Sequence, residues 1–157
     1  MSVPLRSTLM TPLYDLRKNQ MIGKPFLNVD LEIESATPIR LITEELGEEV
    51  SVLYSGRTSG GFLASYEVSL MDRDADSIIH RFCELIESLS EDARREWNGS
   101  FRRTFDIGYG PSDLVEMYSS RIRSETVARV SGLNAEIAVS IYPRTGEADQ
   151  DEVVNSE

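Results

Sequence analysis

Phe26-Leu-Asn-Val-Asp-Leu-Glu-Ile-Glu34 is the stretch that decides the fold. From position 27 it alternates without a break. Leu27, Val29, Leu31 and Ile33 fall on one side, and Asn28, Asp30, Glu32 and Glu34 on the other. Successive side chains of an extended chain point to opposite faces, so this is a strand with one dry face and one wet face. A sheet built from such strands needs a layer over its apolar side only.

The residues that follow supply that layer. Thr37-Pro38 reads as an N-cap and first helical position, Ile39, Ile42 and Leu46 share a face, and Gly47 stops the helix. Val50–Ser55 is a second strand, Gly56–Gly61 a hairpin loop, and Phe62–Leu70 a third strand with Phe62, Ala64, Tyr66, Val68 and Leu70 on one side. A turn over Asp72–Ser77 leads to an N-cap. The spacing of Ile78, Phe82, Leu85 and Leu89, flanked by Ile79 and Ile86, gives the strongest helix of the chain. Ser90 caps a short helix over Glu91–Trp97.

Phe101–Tyr109 is a strand with Phe105, Ile107 and Tyr109 on one face, and Gly110-Pro111 ends it. The stretch 114–122 is ambiguous, with a short strand at Tyr118–Ile122 as one reading. Ser124 opens a helix whose apolar residues are Val127 and Val130, and Gly132 closes it. Ala135–Tyr142 is a last strand with Ile137, Val139 and Ile141 inward. These elements predict an α+β domain over 26–143. It has a single, mostly antiparallel sheet with helices on one face, a ferredoxin-like βαββαβ core, and an added helix and strand. Residues 1–25, interrupted by Pro4, Pro12 and Pro25, read as a poorly structured leader without a signal-peptide pattern, and Met21 is an alternative start. Residues 144–157 read as a disordered acidic tail.

The charge narrows the partners. Lys+Arg 16 against Asp+Glu 27 leaves a net -11 on 157 residues. The leader carries +3 and residues 146–157 carry -5, so 26–145 keeps -9. Such a field repels phosphate, which argues against nucleic acid and anionic membranes and favours a basic partner or a cation, solubility alone being the plainer reading. No stretch approaches the 18 apolar residues of a membrane helix. One Cys and one His cannot form a disulfide or a closed Cys/His zinc site within the chain.

The segment Ile122-Arg-Ser-Glu-Thr-Val-Ala-Arg-Val-Ser-Gly-Leu-Asn-Ala-Glu-Ile-Ala-Val-Ser-Ile-Tyr-Pro143 resembles the close of the bacterial domain of unknown function 4279 family. The shared features are a short helix, the turn at Gly132-Leu133-Asn134-Ala135, an alternating strand and the terminal Tyr142. The family's Gly-containing, Trp-flanked segment after the first helix is missing, and Trp97 sits elsewhere. The resemblance implies a small bacterial cytoplasmic α+β protein and brings no catalytic residues.

Four groups of side chains remain as candidates. His80 and Cys83 are three apart on the strong helix, a spacing that can activate a thiolate. The apolar neighbours Phe82, Leu85 and Ile86 instead favour a buried inert thiol, with His80 turned to solvent beside Arg81. Arg94, Arg95, Arg102 and Arg103, interleaved with Trp97 and Phe101, could hold single strands. The overall charge favours ion pairs with Glu91, Asp92 and Glu96. The glycines at 56, 60 and 61 lack the lysine of a phosphate loop.

The fourth group is the wet sheet face. Asp30, Glu32 and Glu34 lie about 6–7 Å apart along one strand side. Glu67, Asp106 and Glu136 are expected to join them from other strands. The plain reading of this face is a solvated one with cross-strand Arg–carboxylate pairs. The functional reading is a docking surface for a basic partner on Asp30, Glu32, Glu34, Glu67 and Asp106, in a non-catalytic protein-binding module of the immunity or antitoxin kind. No catalytic residue, metal or cofactor is assigned. Homo-oligomerisation through an exposed sheet edge or face is equally compatible. The alternative is a carboxylate-based enzyme, or a binder of divalent cations or small ligands.

Overall fold

A computed structural model describes residues 25–69, 74–111 and 117–143. The leader to residue 24 and the tail from 144 lie outside the described residues, as do Leu70, the start of the turn at 72–73 and residues 114–116 of the ambiguous stretch. The element order is β1 (Phe26–Ser35), α1 (Leu41–Leu46), a 3-10 turn (Gly47–Glu49), β2 (Val50–Thr58), β3 (Gly61–Val68), α2 (Ala75–Glu87), α3 (Glu91–Gly99), β4 (Arg102–Tyr109), α4 (Ser124–Gly132) and β5 (Glu136–Ile141). One sheet runs β2-β3-β1-β4-β5. The first three pairings are antiparallel, and β4–β5 is parallel. The sheet is therefore mixed but mostly antiparallel, in an α+β fold.

The alternation of β1 becomes a burial pattern. Val29, Leu31 and Ile33 are fully buried and join Ala64, Tyr66, Phe105 and Ile107 from the neighbouring strands. Ile42 and Leu46 of α1, the apolar face of α2, Trp97 of α3 and Val130 of α4 complete the same core. The four helices among the described residues thus cover one face. None is long and apolar enough to cross a membrane.

Local chemistry explains most boundaries. Asp74 is the N-cap of α2, its carboxylate accepting the Ser77 N–H at 2.8 Å, and Ser90 caps α3 through the Ala93 N–H. The β2–β3 turn is tighter than expected. Pairing runs to Thr58↔Gly61, so Gly56 lies within β2 and only Ser59 and Gly60 form the turn. Gly61 has φ 138°, and a Cβ there would meet the Ser35 carbonyl at 2.5 Å, so glycine is required.

Several expectations are corrected. The first helix begins at Leu41 and not at Pro38, because Ser35 Oγ accepts the Thr37 N–H and holds that turn outside the helix. Residues 117–123 form no strand. There the Arg123 backbone N–H and guanidinium both bind the buried Asp76 carboxylate, at 2.8 and 2.6 Å, fixing the start of α4 to the start of α2. Val127, Val139 and Ile141 are not inward. They are 47%, 60% and 77% exposed.

Candidate functional site

The polar parity of β1 puts Asn28, Asp30, Glu32 and Glu34 on the uncovered face, and strand register decides which carboxylates meet. Asp30 stands directly opposite Glu67 of β3 on one side and Asp106 of β4 on the other. Directly opposed residues have Cα atoms about 4.5–5.5 Å apart, so three carboxylates form one row across three strands. Glu32 faces Ser65 and Thr104 instead. Glu34 faces Arg102 and is neutralised by it, Nε to Oε1 at 3.1 Å. Of the five predicted docking residues, the structure brings Asp30, Glu67 and Asp106 together. Glu32 lies beside them, and Glu34 is in a separate ion pair. Glu136 accepts the Thr104 hydroxyl at 2.9 Å.

The row lies in a shallow cavity of about 260 Å³. Asn28 shares its floor and donates to Glu67. Ser140 Oγ lies 2.8 Å from both Asp106 oxygens and donates to either. Among the described residues nothing donates to Asp30. Burial, then repulsion from Glu67, Asp106 and Glu32, pushes its carboxyl up to about 6. Burial and the Asp106 charge also raise Glu32, with Arg102 opposing.

Leu27, Leu53 and Tyr142 give the cavity an apolar wall. Alternation alone places Leu27 on the core side. A register irregularity between Phe26 and Asn28 turns it out instead, 45% exposed. Leu53 has the open-face parity of Ser51, which stands opposite Glu67, and sits at a second irregularity between Val52 and Tyr54, 48% exposed. A bulge leaves no mark in the hydrophobic pattern, so the place of Leu27 on the wall could not be read from it. Ser140 was legible only as a polar position of the last strand.

Such a row can attract and orient a positive group. Among the described residues no three His, Cys, Asp or Glu are grouped to hold an ion. Strand spacing sets the carboxylates side by side rather than around a point.

The other candidates resolve into structure. Cys83 is fully buried, and burial pushes its thiol up to about 11, so the nucleophilic thiolate is scarce at neutral pH. His80 does not face solvent beside Arg81. It is half-buried against Arg129 of α4, with Nε2 2.8 Å from Nη1. Of the basic cluster, Arg95 pairs with Asp92 at 3.0 Å, and Arg103 lies over the Trp97 ring and donates to the Trp97 carbonyl at 2.8 Å. Glu96 is not their partner; it accepts the N–H groups of Arg40, the residue before α1, and of Ile42 within it, both at 2.9 Å. Comparison of the chain with known proteins finds no matching family model, no similar curated protein and no similar solved structure.

Proposed function

We propose that the chain is a non-catalytic protein-binding module whose uncovered sheet face docks a basic protein. The observation that carries this reading is the row Asp30, Glu67 and Asp106 on the floor of a small cavity walled by Leu27, Leu53 and Tyr142. The cavity is smaller than the usual small-molecule site of about 300–1,000 Å³. It suits one inserted arginine or lysine, with the charged head on the carboxylates and the methylene stem on the apolar wall. A cation there would also relieve the crowding of negative charge at Asp30.

Within this reading the protein is a small acidic bacterial cytoplasmic module of the immunity or antitoxin kind, akin to the domain of unknown function 4279 family. Its first four strands form a ferredoxin-like unit, which the order β2-β3-β1-β4 supports. The carboxylate-enzyme alternative draws on one observation, the elevated Asp30, because a general acid works best with its midpoint near the operating pH. The hydrogen-bonded state of Glu67 and Asp106 favours fixed acceptors over a proton-transfer pair.

The immobilised full chain should retain a basic protein from a lysate of its source organism and release it near 1 M salt, where the Debye length falls to about 3 Å. Asp106→Asn should retain far less of it. Equal retention by both chains, or retention indifferent to salt, would remove the docking reading.

A further inference from the structure

We propose that β5 is a dimer interface, where two copies of this chain pair antiparallel, edge to edge, with Val139 on the two-fold axis. Among the described residues β5 is an end strand of the sheet, paired on one side only. Its register with β4 is regular over all six residues, whereas the opposite edge strand, β2, is irregular between Val52 and Tyr54. Bulged edges resist further pairing, and regular apolar ones invite it.

The backbone sets which groups are free. The Tyr142 N–H donates to the Tyr109 carbonyl of β4 at 2.8 Å. Hydrogen-bonding direction alternates along a strand, so the N–H and C=O groups of Ile137, Val139 and Ile141 point away from β4. With Val139 opposite itself, Ile137 of each copy stands opposite Ile141 of the other. All three positions then become hydrogen-bonded pairs, giving about six new backbone bonds.

The side chains fit the same register. Val139 and Ile141, 60% and 77% exposed, meet apolar partners on the helix-covered side of the sheet. Ile137 lines a groove of about 410 Å³ between α4 and β5, whose walls include Val127 and Val130. The register brings the second copy's Ile141 beside Ile137, at the mouth of that groove, and the symmetry does this twice. Shifting by two residues, to centre on 138, would set Ile141 against Ala135 and lose this match.

Charge favours a second copy over a basic partner here. No acidic residue lines the groove. Along β5 the only charge is Glu136, which this register places opposite Tyr142 and away from its own copy. Two chains of net -11 can meet on this strip without opposing carboxylates. Since their long-range repulsion is screened by salt, added salt should tighten the dimer, the opposite of its effect on docking.

Sedimentation velocity on the full chain should give a species of twice the 17.6 kDa chain mass, and more of it at higher salt. Val139→Lys and Ile141→Lys, both at exposed positions, should each give a monomer with an unchanged circular dichroism spectrum. Val139→Cys should form a disulfide-linked dimer on mild oxidation, because a hydrogen-bonded pair sets its Cα atoms about 5.5 Å apart, within disulfide reach. The native Cys83 is buried and does not compete. A wild-type monomer throughout, or a dimer that survives both lysine substitutions, would overturn the proposal. The lysine variants leave the open face intact and Asp106→Asn leaves the edge intact, so each reading fails separately.

Discussion

Trp97→Ala should lower the unfolding free energy by about 4 kcal/mol, a large part of the roughly 5–15 kcal/mol that holds a domain of this size. Trp97 is fully buried in the shared core. Its indole N–H donates to the Leu133 carbonyl at 3.1 Å, tying α3 to the turn between α4 and β5. The Arg103 guanidinium covers the ring from the sheet side, 5.8 Å from its centre. Truncation therefore removes packing from α3, β4 and the α4 end at once. Trp97→Phe keeps most of the ring volume and deletes the donor, so it should cost about 1–2 kcal/mol. Urea titrations of the three chains separate the two contributions. A loss below about 1 kcal/mol for the alanine variant would mean that the three elements are held together by other contacts.

Asp30→Asn should stabilise the protein at neutral pH and weaken docking in the same molecule. The folded Asp30 carboxyl has its midpoint raised from 3.8 to about 6, with burial as the main cause and Glu67, Asp106 and Glu32 adding to it. A folded state that holds a proton more tightly than the unfolded one is most stable below the unfolded midpoint. It loses that advantage as pH rises through the folded midpoint, between about 4 and 6. The full displacement corresponds to about 3 kcal/mol. Asp30 is only half-buried, and solvent screening brings the expected gain down to about 1 kcal/mol. The variant should thus be the more stable chain at pH 7.5, with the difference shrinking to near zero below pH 4. A wild-type chain more stable than Asp30→Asn at pH 7.5 would show that the carboxylate is satisfied. Under the proposed docking reading, a bound cation would offset this cost.

The strands were legible because their alternation is long and unbroken, as in Val29, Leu31 and Ile33. Alternation fixes parity but not pairing, so the wet side of Asp30 could be read while its position between Glu67 and Asp106 could not. Parity also does not say how far a helix layer extends. Ile137, Val139 and Ile141 share one side, yet the last two project from the described helical cover, and only their exposure shows it. Thr37-Pro38 carries good capping chemistry, but Ser35 engages Thr37 first, and the groups that α1 needs come from Glu96, more than 50 residues away. No local rule reaches that far.

That long-range cap has a consequence for the order of folding. A six-residue helix is too short to persist by itself in water. The free N–H groups of α1 are satisfied by a carboxylate on α3, so α1 has to wait until α3 has docked. The two helices then open and close as one cooperative unit. Amide exchange at Ile42 should follow the protection of α3, and Glu96→Gln should loosen both while leaving the β1–β4 ladder unchanged. If Ile42 stayed protected in that variant, α1 would be held by its apolar face alone. A chain with this wiring acquires its first helix late, after elements that leave the ribosome behind it.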